Sequence, residues 1–338
     1  MVLADIIAAF PQPTALIGAD HRIAHVNAGF AAVFAKGLIG RHFIAAMRQP
    51  AVIAAIEQVF ENGAPTTAQY LGGSDGRETN YDVAVQRAGA GVLICLIDRS
   101  QADVAGKMRT DFIANVSHEL RTPLTALTGF IETLAGPARD DETARAKFLG
   151  IMAQEAGRMT RLVDELMQLS RLEETEQHRP TDYVNLGDVL NAVRESLLII
   201  AQNAEVEMLF ELPDTPVEIT GDAAQLQQVF TNLIENALKY GGEHGQVTAT
   251  LHNIGTHKGL HGKAVMITVC DNGCGIAAHH IARLTERFYR VDSHRSREVG
   301  GTGLGLAIVK HIINRHRGRL RIQSELGVGT TVRILLPV

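Results

Sequence analysis

The sequence predicts an α+β protein with several domains. At 338 residues the chain is too long for one small core and suits two or three domains of ordinary size. Three segments with different patterns follow one another: short apolar runs between turn signals, then two long helical repeats, then mixed helix and strand patterns. These patterns predict domains at residues 1–99, 100–177 and 178–338.

The composition is that of a globular protein and disfavours several other classes. Charged residues make up 20% and hydrophobic residues 46% of the chain, so neither disorder nor a fibrous repeat is indicated. A net charge of −5 gives no general attraction to nucleic acid, and we expect no direct nucleic-acid partner. The longest apolar runs fall far short of the roughly 20 residues that cross a bilayer, and the first residues do not resemble a secretory leader. We therefore expect a cytoplasmic chain without a membrane segment.

Cysteine and histidine do not form metal-ligand patterns. The three cysteines, Cys95, Cys270 and Cys274, cannot all pair with one another, and their spacing does not match a zinc site. Of the 14 histidines, His279, His280, His311 and His316 lack acidic or cysteine companions at ligand spacing, and His257 and His261 lie among glycines in an expected loop. A metal site built from histidines is therefore not expected.

The first segment predicts a small antiparallel sheet. Short apolar runs from about Phe10 to Arg99 alternate with turn signals, among them the glycine-rich turn from Gly72 to Gly76. Helices are expected between Ala31 and Phe60.

The second segment predicts a helical hairpin. In its first helix, apolar residues recur at spacings of three, four and seven and form one stripe, which we expect to be buried. This stripe consists of Ile113, Val116, Leu120, Leu124, Leu127, Ile131 and Leu134. A second stripe runs from Phe148 to Leu169, and Gly136, Pro137 and Asp140 break the period between the two. Because two helices alone bury too little surface to be stable, we expect a homodimer whose hairpins form a four-helix bundle.

One histidine lies off the apolar stripe of the first helix. His118 is followed by the polar residues Glu119, Arg121 and Thr122, and then by Pro123, which removes a backbone donor and is expected to bend the helix. A lone histidine on a helix surface is usually only solvated. The interpretation of His118 therefore depends on the rest of the chain.

The third segment predicts a sheet covered on one face by helices, an α/β sandwich. Helical periodicity is found near Leu186–Asn203, Ala223–Tyr240 and Leu304–His316. Strand patterns are found near Glu207–Leu212, Gln246–Asn253, Ala264–Asp271, Leu320–Ser324 and Thr330–Leu336.

Two short motifs of the third segment suit a nucleotide. Asn232, Asn236 and Lys239 lie on adjacent turns of one helix face, where amide oxygens can hold a hydrated Mg²⁺ and an ammonium group can reach a phosphate. Asp271 follows an apolar strand, and its carboxylate can accept a hydrogen bond from an amino group such as that of adenine. Taken alone, each motif is more often a solvated helix face or an ordinary turn.

Two further motifs suit phosphates. Arg290 begins a basic loop that continues through His294, Arg295 and Arg297, and arginines beside phosphates form charge-assisted hydrogen bonds. The glycine-rich run at residues 300–306 leads into a helix whose first free N–H groups make an anion site. It is not a P-loop, because the required Gly-Lys-Ser/Thr does not follow.

The order of these four motifs, with the His118 segment upstream, resembles that of the two-component sensor histidine kinases. The resemblance covers residues 101–338 and extends to the phosphate-regulon sensor subgroup, chiefly through RSREVGGTGLGLAIVKHI at residues 295–312. The run PTALIGADHRIAHVNAGFAAVF, residues 13–34, resembles the start of a PAS sensor domain. The family implies a PAS-like sensor, a dimerising phosphotransfer bundle and a Bergerat-fold ATP-binding domain.

The resemblance implies roles for individual residues of the hairpin. His118 matches the phospho-accepting histidine, and Glu119 matches the neighbouring carboxylate that orients or deprotonates the imidazole. Thr122 matches the position associated with dephosphorylation of the partner regulator.

The resemblance also implies a nucleotide pocket. Asn236 resembles the Mg²⁺ ligand, Asp271 matches the adenine-reading aspartate, and Arg290 belongs to the lid over the phosphates. The remaining implied pocket residues are Asn232, Lys239, Tyr240, Gly273, Gly275, Ile276, Gly301, Thr302, Gly303, Leu304, Gly305 and Leu306.

The expected activity is that of an ATP- and Mg²⁺-dependent histidine kinase. Such an enzyme phosphorylates His118, passes the phosphoryl group to an aspartate of a response regulator, and dephosphorylates that regulator. The chain would then be cytoplasmic, either by itself or as the soluble part of a membrane-anchored kinase. An ATPase of the chaperone or topoisomerase kind would have a similar pocket, but it would need a catalytic carboxylate at the position of Asn232. A dimeric scaffold without catalysis need not keep an intact pocket.

Overall fold

The chain divides into two units at residue 114. The computed structural model describes residues 2–34, 37–72, 79–176, 178–242, 245–256, 262–291 and 301–338. Its units are Met1–Ala114 and Asn115–Val338, so most of the hairpin and the whole third segment pack as one body. The predicted domain boundaries at residues 99 and 177 stay a prediction.

The first unit is built on an antiparallel sheet. Its strands are β1 (Thr14–Ile17), β2 (Ile23–Val26), β3 (Thr66–Gly72), β4 (Thr79–Ala88) and β5 (Gly91–Asp98). Its helices before the hairpin are α1 (Val2–Ala9), α2 (Ala28–Phe34) and α3 (Pro50–Asn62), with a short 3₁₀ helix at Phe43–Ala45. The strand order is β2-β1-β5-β4-β3, and all four pairs are antiparallel.

The core of the first unit lies between the sheet and its helices. Strand and helix side chains meet in one apolar cluster that includes Phe30, Phe43, Met47, Ile56 and Ile94, all fully buried. The antiparallel sheet, with α2 and α3 between its second and third strands, has the arrangement that the sequence pattern predicts. The PAS assignment itself stays a prediction, and residues 73–76 of the predicted turn lie outside the described residues.

Two long helices form the predicted hairpin. They are α4 (Ser100–Ala135) and α5 (Glu142–Thr175), and the Asp141 carboxylate caps α5 by accepting from the backbone N–H of Ala144 at 2.9 Å. The rings of Phe130 and Phe148 stack near the turn with centroids 5.2 Å apart. Helix α4 continues through Pro123 as one helix, and the bend expected there stays a prediction. A single missing N–H is tolerated because the turns on both sides keep their hydrogen bonds.

The apolar stripes of the hairpin are only partly covered. In the single chain several of the large apolar side chains are about half exposed: Leu124, Ile131, Leu149, Val163 and Met167. An apolar stripe of this width needs more than one neighbouring helix to be covered.

The second unit also contains a mixed sheet covered by helices. Its helices after the hairpin are α6 (Leu186–Asn203), α7 (Ala223–Tyr240), α8 (Ala278–Ile281) and α9 (Gly305–Arg315). Its strands are β6 (Tyr183–Asn185), β7 (Glu207–Glu211), β8 (Glu218–Thr220), β9 (Gln246–Thr256), β10 (Lys263–Asp271), β11 (Arg319–Glu325) and β12 (Gly329–Pro337).

The sheet of this unit places β10 at its centre. The order is β11-β12-β10-β9-β7, with antiparallel pairs except for the parallel pair β7–β9, while β6 and β8 form a separate two-stranded sheet. The apolar face of α7, with Phe230 and Ile234 fully buried, packs on β9 and β10. Helix α9 packs beside it and buries Ile308 and Ile312. Because β10 ends at Asp271, the fold puts that aspartate next to the C-terminal half of α7.

Candidate active site

A cavity of about 400 Å³ opens in the second unit beside α7, the end of β10 and the segment before α9. Most of the pocket residues that the sequence predicts line it: Asn232, Asn236, Lys239, Tyr240, Asp271, Gly275, Ile276, Arg290, Gly301, Thr302, Gly303, Gly305 and Leu306. The predicted residues Gly273 and Leu304 support the walls without lining the cavity. Motifs that are far apart in the sequence are thus brought to one site.

The polar face of α7 forms one wall of the cavity. Asn232, Asn236 and Lys239 follow one another at helical spacing on this face. The Lys239 ammonium pairs with the Glu235 carboxylate at 3.0 Å, one turn earlier. The Asn232 amide points at the start of α9, where it donates to the Gly305 carbonyl at 3.5 Å. The wall therefore presents amide groups, one ammonium group and the Glu235 carboxylate that is paired with it.

Asp271 is held by the backbone around it. Its Oδ1 accepts from the N–H groups of Gly273 at 3.0 Å and of Thr330 at 3.2 Å. Burial raises the pKa of Asp271, and the two backbone hydrogen bonds act in the opposite direction. The carboxyl group is therefore fixed in place and partly desolvated, as suits recognition of a donor on a ligand.

The loop after Asp271 requires glycine at two positions. Gly275 has φ +67°, and a Cβ there would collide with the carbonyl oxygen of Glu325. A Cβ at Gly273 would collide with the carbonyl oxygen of Tyr240, so this glycine lets β10 approach the end of α7. At both glycines the nearest atoms are those of protein backbone.

The glycine-rich segment turns sharply into α9. Gly303 has φ +77°, and its carbonyl accepts from the Phe288 N–H at 2.9 Å. The Thr302 hydroxyl accepts from the N–H of Leu304, the residue that caps α9, at 3.3 Å. The N-terminal end of α9 thus opens on the cavity wall formed by Gly305 and Leu306. The rest of the predicted lid beyond Val291, including His294, Arg295, Arg297 and Gly300, lies outside the described residues.

The hairpin contributes two wall residues that the sequence did not predict. Arg161 and Glu165, both on α5, line the cavity. The Thr302 hydroxyl donates to the Glu165 carboxyl group. Burial raises the pKa of Glu165, while the hydrogen bond from Thr302 lowers it. No local pattern marks these residues, because they read as ordinary charged positions on a long helix.

His118, Glu119 and Thr122 lie on one turn of α4, outside the cavity lining. The His118 side chain is exposed, and the Thr122 hydroxyl donates to the His118 carbonyl at 3.2 Å. Glu119 Oε2 accepts from Arg290 Nη2 at 2.9 Å and from Arg158 Nη2 at 3.4 Å. Arg290 also lines the cavity, with its side chain only 8% exposed and its Nε without a partner among the described residues. One arginine therefore connects the cavity with the neighbour of His118.

Two family models match this chain. Residues 108–175 match the His Kinase A (phospho-acceptor) domain, and residues 221–338 match the Histidine kinase-, DNA gyrase B-, and HSP90-like ATPase. Together the two models cover more than half of the chain, in the order that the sequence predicts. The chain belongs to the two-component sensor histidine kinases. The predicted family and fold class are thereby confirmed, and the second unit of this kinase holds an ATP-binding domain.

Curated relatives of this histidine kinase are sensor kinases. The phosphate regulon sensor protein PhoR of Pseudomonas aeruginosa is 38% identical over 239 residues, which are 71% of this chain and 52% of PhoR. The sensor histidine kinase WalK of Bacillus subtilis is 34% identical over 260 residues, 76% of this chain and 42% of WalK. This kinase thus spans about half the length of these relatives.

A solved kinase has the same fold. The structure of histidine kinase ThkA in complex with response regulator protein TrrA matches 98% of this chain and 97% of the other, with a TM-score of 0.54 and 21% identity. Among the described residues, no helix is long and apolar enough to cross a membrane.

Proposed function

We propose that this chain transfers the γ-phosphoryl group of Mg-ATP to His118 and then to an aspartate of a response regulator. The proposal is carried by the observation that the nucleotide motifs and His118 belong to the same unit. This unit holds the cavity with the nucleotide motifs and the His118 turn, and Arg290 bonds to Glu119 between them. A chaperone- or topoisomerase-type ATPase does not account for the phospho-acceptor match at residues 108–175.

The cavity has groups that can bind the adenine of ATP and groups that can bind its phosphates. The half-buried Asp271 carboxylate can accept from the adenine amino group. Lys239 and the free N–H groups at the start of α9 offer positive charge and donors to phosphates. Arg290, with an unpartnered buried Nε, can add a charge-assisted bond to the phosphate chain.

Asn236 is the proposed Mg²⁺ ligand. Asn236 lines the cavity one turn from Asn232 and beside Lys239, so its amide group is near the space in which the phosphates would lie. Among the described residues no group of three or more His, Cys, Asp or Glu side chains could hold a metal ion. One amide with phosphate oxygens and waters is a normal Mg²⁺ set. The bound ion would neutralise phosphate charge during transfer.

His118 is placed to act as the nucleophile. Its imidazole is exposed, so a phosphorus atom can approach it from outside the helix. A neutral imidazole nitrogen forms the new N–P bond while the bond from the γ-phosphorus to the bridging oxygen breaks, and ADP leaves. Glu119 would orient the imidazole or accept its proton.

Thr122 is proposed to act in the reverse reaction. Its exposed hydroxyl lies one turn after His118, on the surface where a phosphorylated receiver domain would dock. A hydroxyl there can orient a water molecule toward an aspartyl phosphate. The same turn of α4 would then serve both kinase and regulator-phosphatase activity.

The exposed stripes of the hairpin support a homodimer. Leu124, Ile131 and Met167 are each more than half exposed in the single chain. Packing two hairpins into a four-helix bundle would cover such residues. The first unit is proposed as a PAS-like sensor, and the protein as cytoplasmic or as the soluble part of a membrane-anchored kinase.

The test is transfer of label from [γ-³²P]ATP in the presence of Mg²⁺. We expect wild-type protein to gain an acid-labile, base-stable phosphate, and His118→Gln to gain none. Asn236→Ala should lose the Mg²⁺-dependent labelling. His178→Gln serves as the matched control, because His178 is another exposed histidine in the same unit, outside every motif. Labelling of His118→Gln at the wild-type level would refute the site.

A further inference from the structure

The hairpin helix α5 reaches into the nucleotide site. Arg161 and Glu165 line the cavity, although both belong to the phosphotransfer hairpin. Their position is fixed by apolar neighbours on the same helix face, since Leu162 is 4% and Leu169 is 1% exposed. Helix α9 is the element of the ATP-binding domain that α5 contacts most. The pocket is therefore composite, with one wall supplied by α5.

The Glu165 carboxylate lies where the cavity attracts anions. It accepts from the Thr302 hydroxyl, which in turn accepts from the N–H of Leu304 at the cap of α9. Thr302 is buried, with 9% of its surface exposed. The positive charges of Lys239 and Arg161 also act on this carboxylate, and the like charge of Glu235 acts in the opposite direction. A side-chain anion of the hairpin thus occupies surroundings that favour a phosphate group.

A second anion in the same surroundings would repel the first. The phosphate chain of ATP is more negative than that of ADP, and AMP carries a single phosphate. Unit charges a few ångströms apart in a half-buried site interact strongly, because solvent screens them little. The repulsion from Glu165 should therefore grow with the length of the phosphate chain.

We propose that the Glu165 carboxylate competes with the phosphate chain of the nucleotide for the same position in the site. This competition makes the site respond to the triphosphate, and it couples binding of the triphosphate to release of α5. The inference rests on the proposed function, because it requires that the cavity binds ATP. When the triphosphate enters, the Glu165 carboxylate leaves Thr302. The hairpin then loses one of its bonds to the ATP-binding domain, and ADP or AMP causes less release.

The first test compares nucleotide affinities of the full chain. Glu165→Gln keeps the size of the side chain and an acceptor for Thr302 but removes the charge. We expect it to bind a non-hydrolysable ATP analogue with Mg²⁺ about tenfold more tightly than wild type, within the usual range of coupling between sites. The gain should be smaller for ADP and about absent for AMP. Isothermal titration calorimetry gives the three dissociation constants.

Glu173→Gln is the matched control. Glu173 lies two turns further along α5 and pairs with Arg287 of the ATP-binding domain, but it does not line the cavity. If loosening of the hairpin alone mattered, both variants would shift all three nucleotides equally. That result would overturn the proposal, as would unchanged or weaker binding of the ATP analogue to Glu165→Gln. Absence of nucleotide binding to wild type would instead refute the proposed function.

The second test follows the hairpin. Hydrogen exchange of the α5 amides around Glu165 should become faster in wild type when the ATP analogue and Mg²⁺ are added. AMP should leave that exchange unchanged. Slower or unaltered exchange with the analogue would mean that α5 stays in place, and would overturn the proposed release.

Discussion

Asp271→Asn tests the assignment of the adenine site with little disturbance of the fold. In the native site Asp271 Oδ1 accepts two backbone hydrogen bonds, from Gly273 at 3.0 Å and from Thr330 at 3.2 Å. Asparagine keeps a carbonyl oxygen of the same size and can keep both bonds. What it removes is the negative charge that an adenine amino group would meet. The variant therefore separates recognition from local structure.

The expected loss follows from the strength of the bond. A hydrogen bond to a charged group contributes about 1.5–3 kcal/mol, and each 1.4 kcal/mol is tenfold in affinity. We expect ATP to bind roughly 10- to 150-fold more weakly to Asp271→Asn, measured by calorimetry with the non-hydrolysable analogue. The thermal midpoint should change little, because both backbone bonds are retained.

A control and a pH series sharpen this prediction. Asp214→Asn removes the same charge from an exposed turn of the same domain and should leave ATP affinity unchanged. Since burial raises the pKa of Asp271, wild-type affinity should begin to fall at a higher pH than for an ordinary aspartate as the solution is acidified. Asp271→Asn should lack this dependence. Unchanged ATP affinity in Asp271→Asn would refute the adenine assignment.

Three further changes probe the hairpin and the fold. Thr122→Ala should keep autophosphorylation and lose dephosphorylation of the regulator, which is measured as loss of label from phosphorylated regulator. Loss of both activities would indicate a structural role for Thr122. Leu169→Ala, at a site 1% exposed, should lower the free energy of unfolding by about 2–5 kcal/mol in urea titration, and a loss below about 1 kcal/mol would contradict its packing against the ATP-binding domain. His316 accepts from the Asp222 N–H, and burial lowers the pKa of His316. The contribution of this histidine to the free energy of unfolding is therefore present above about pH 6.5 and is lost as the pH falls below that value. His316→Gln should remove this part of the pH dependence, at most about 1.4 kcal/mol per pH unit, and an unaltered slope would be inconsistent with that account.

The helices of the ATP-binding domain were predictable because several local signals agree. The bounds expected for α6 and α7 are those of the structure. Each helix has an apolar stripe of helical period, and each begins after a residue that caps it. Asn185 accepts from the Gly187 N–H at 3.1 Å, and Asp222 accepts from the Gln225 N–H at 3.1 Å. When period and cap coincide, sequence alone fixes both the type and the ends of an element.

Short elements escaped prediction for the opposite reason. The strands β6 and β8 have three residues each, and α8 has four. Segments of this length contain too few residues to show a period. These short elements are stabilised by contacts with neighbouring segments. One example is the hydrogen bond from the Leu186 N–H to the Val217 carbonyl beside the small sheet. Tertiary contact, rather than local pattern, defines them.

The contacts between hairpin and ATP-binding domain could not be read from the sequence. Motif chemistry identified Glu119 and Arg290 separately, because each stands in a recognisable local run. Their bond joins residues 171 positions apart, and the bond between Glu165 and Thr302 joins residues 137 apart. Helical spacing predicts which side chains share a helix face, but it does not predict which distant element packs against that face. Because a carboxylate accepts equally well from any arginine or hydroxyl in reach, packing alone selects the partner. The sequence therefore predicts most members of this site, whereas the fold decides that carboxylates of the phosphotransfer hairpin, among them Glu119 and Glu165, are bound to the ATP-binding domain.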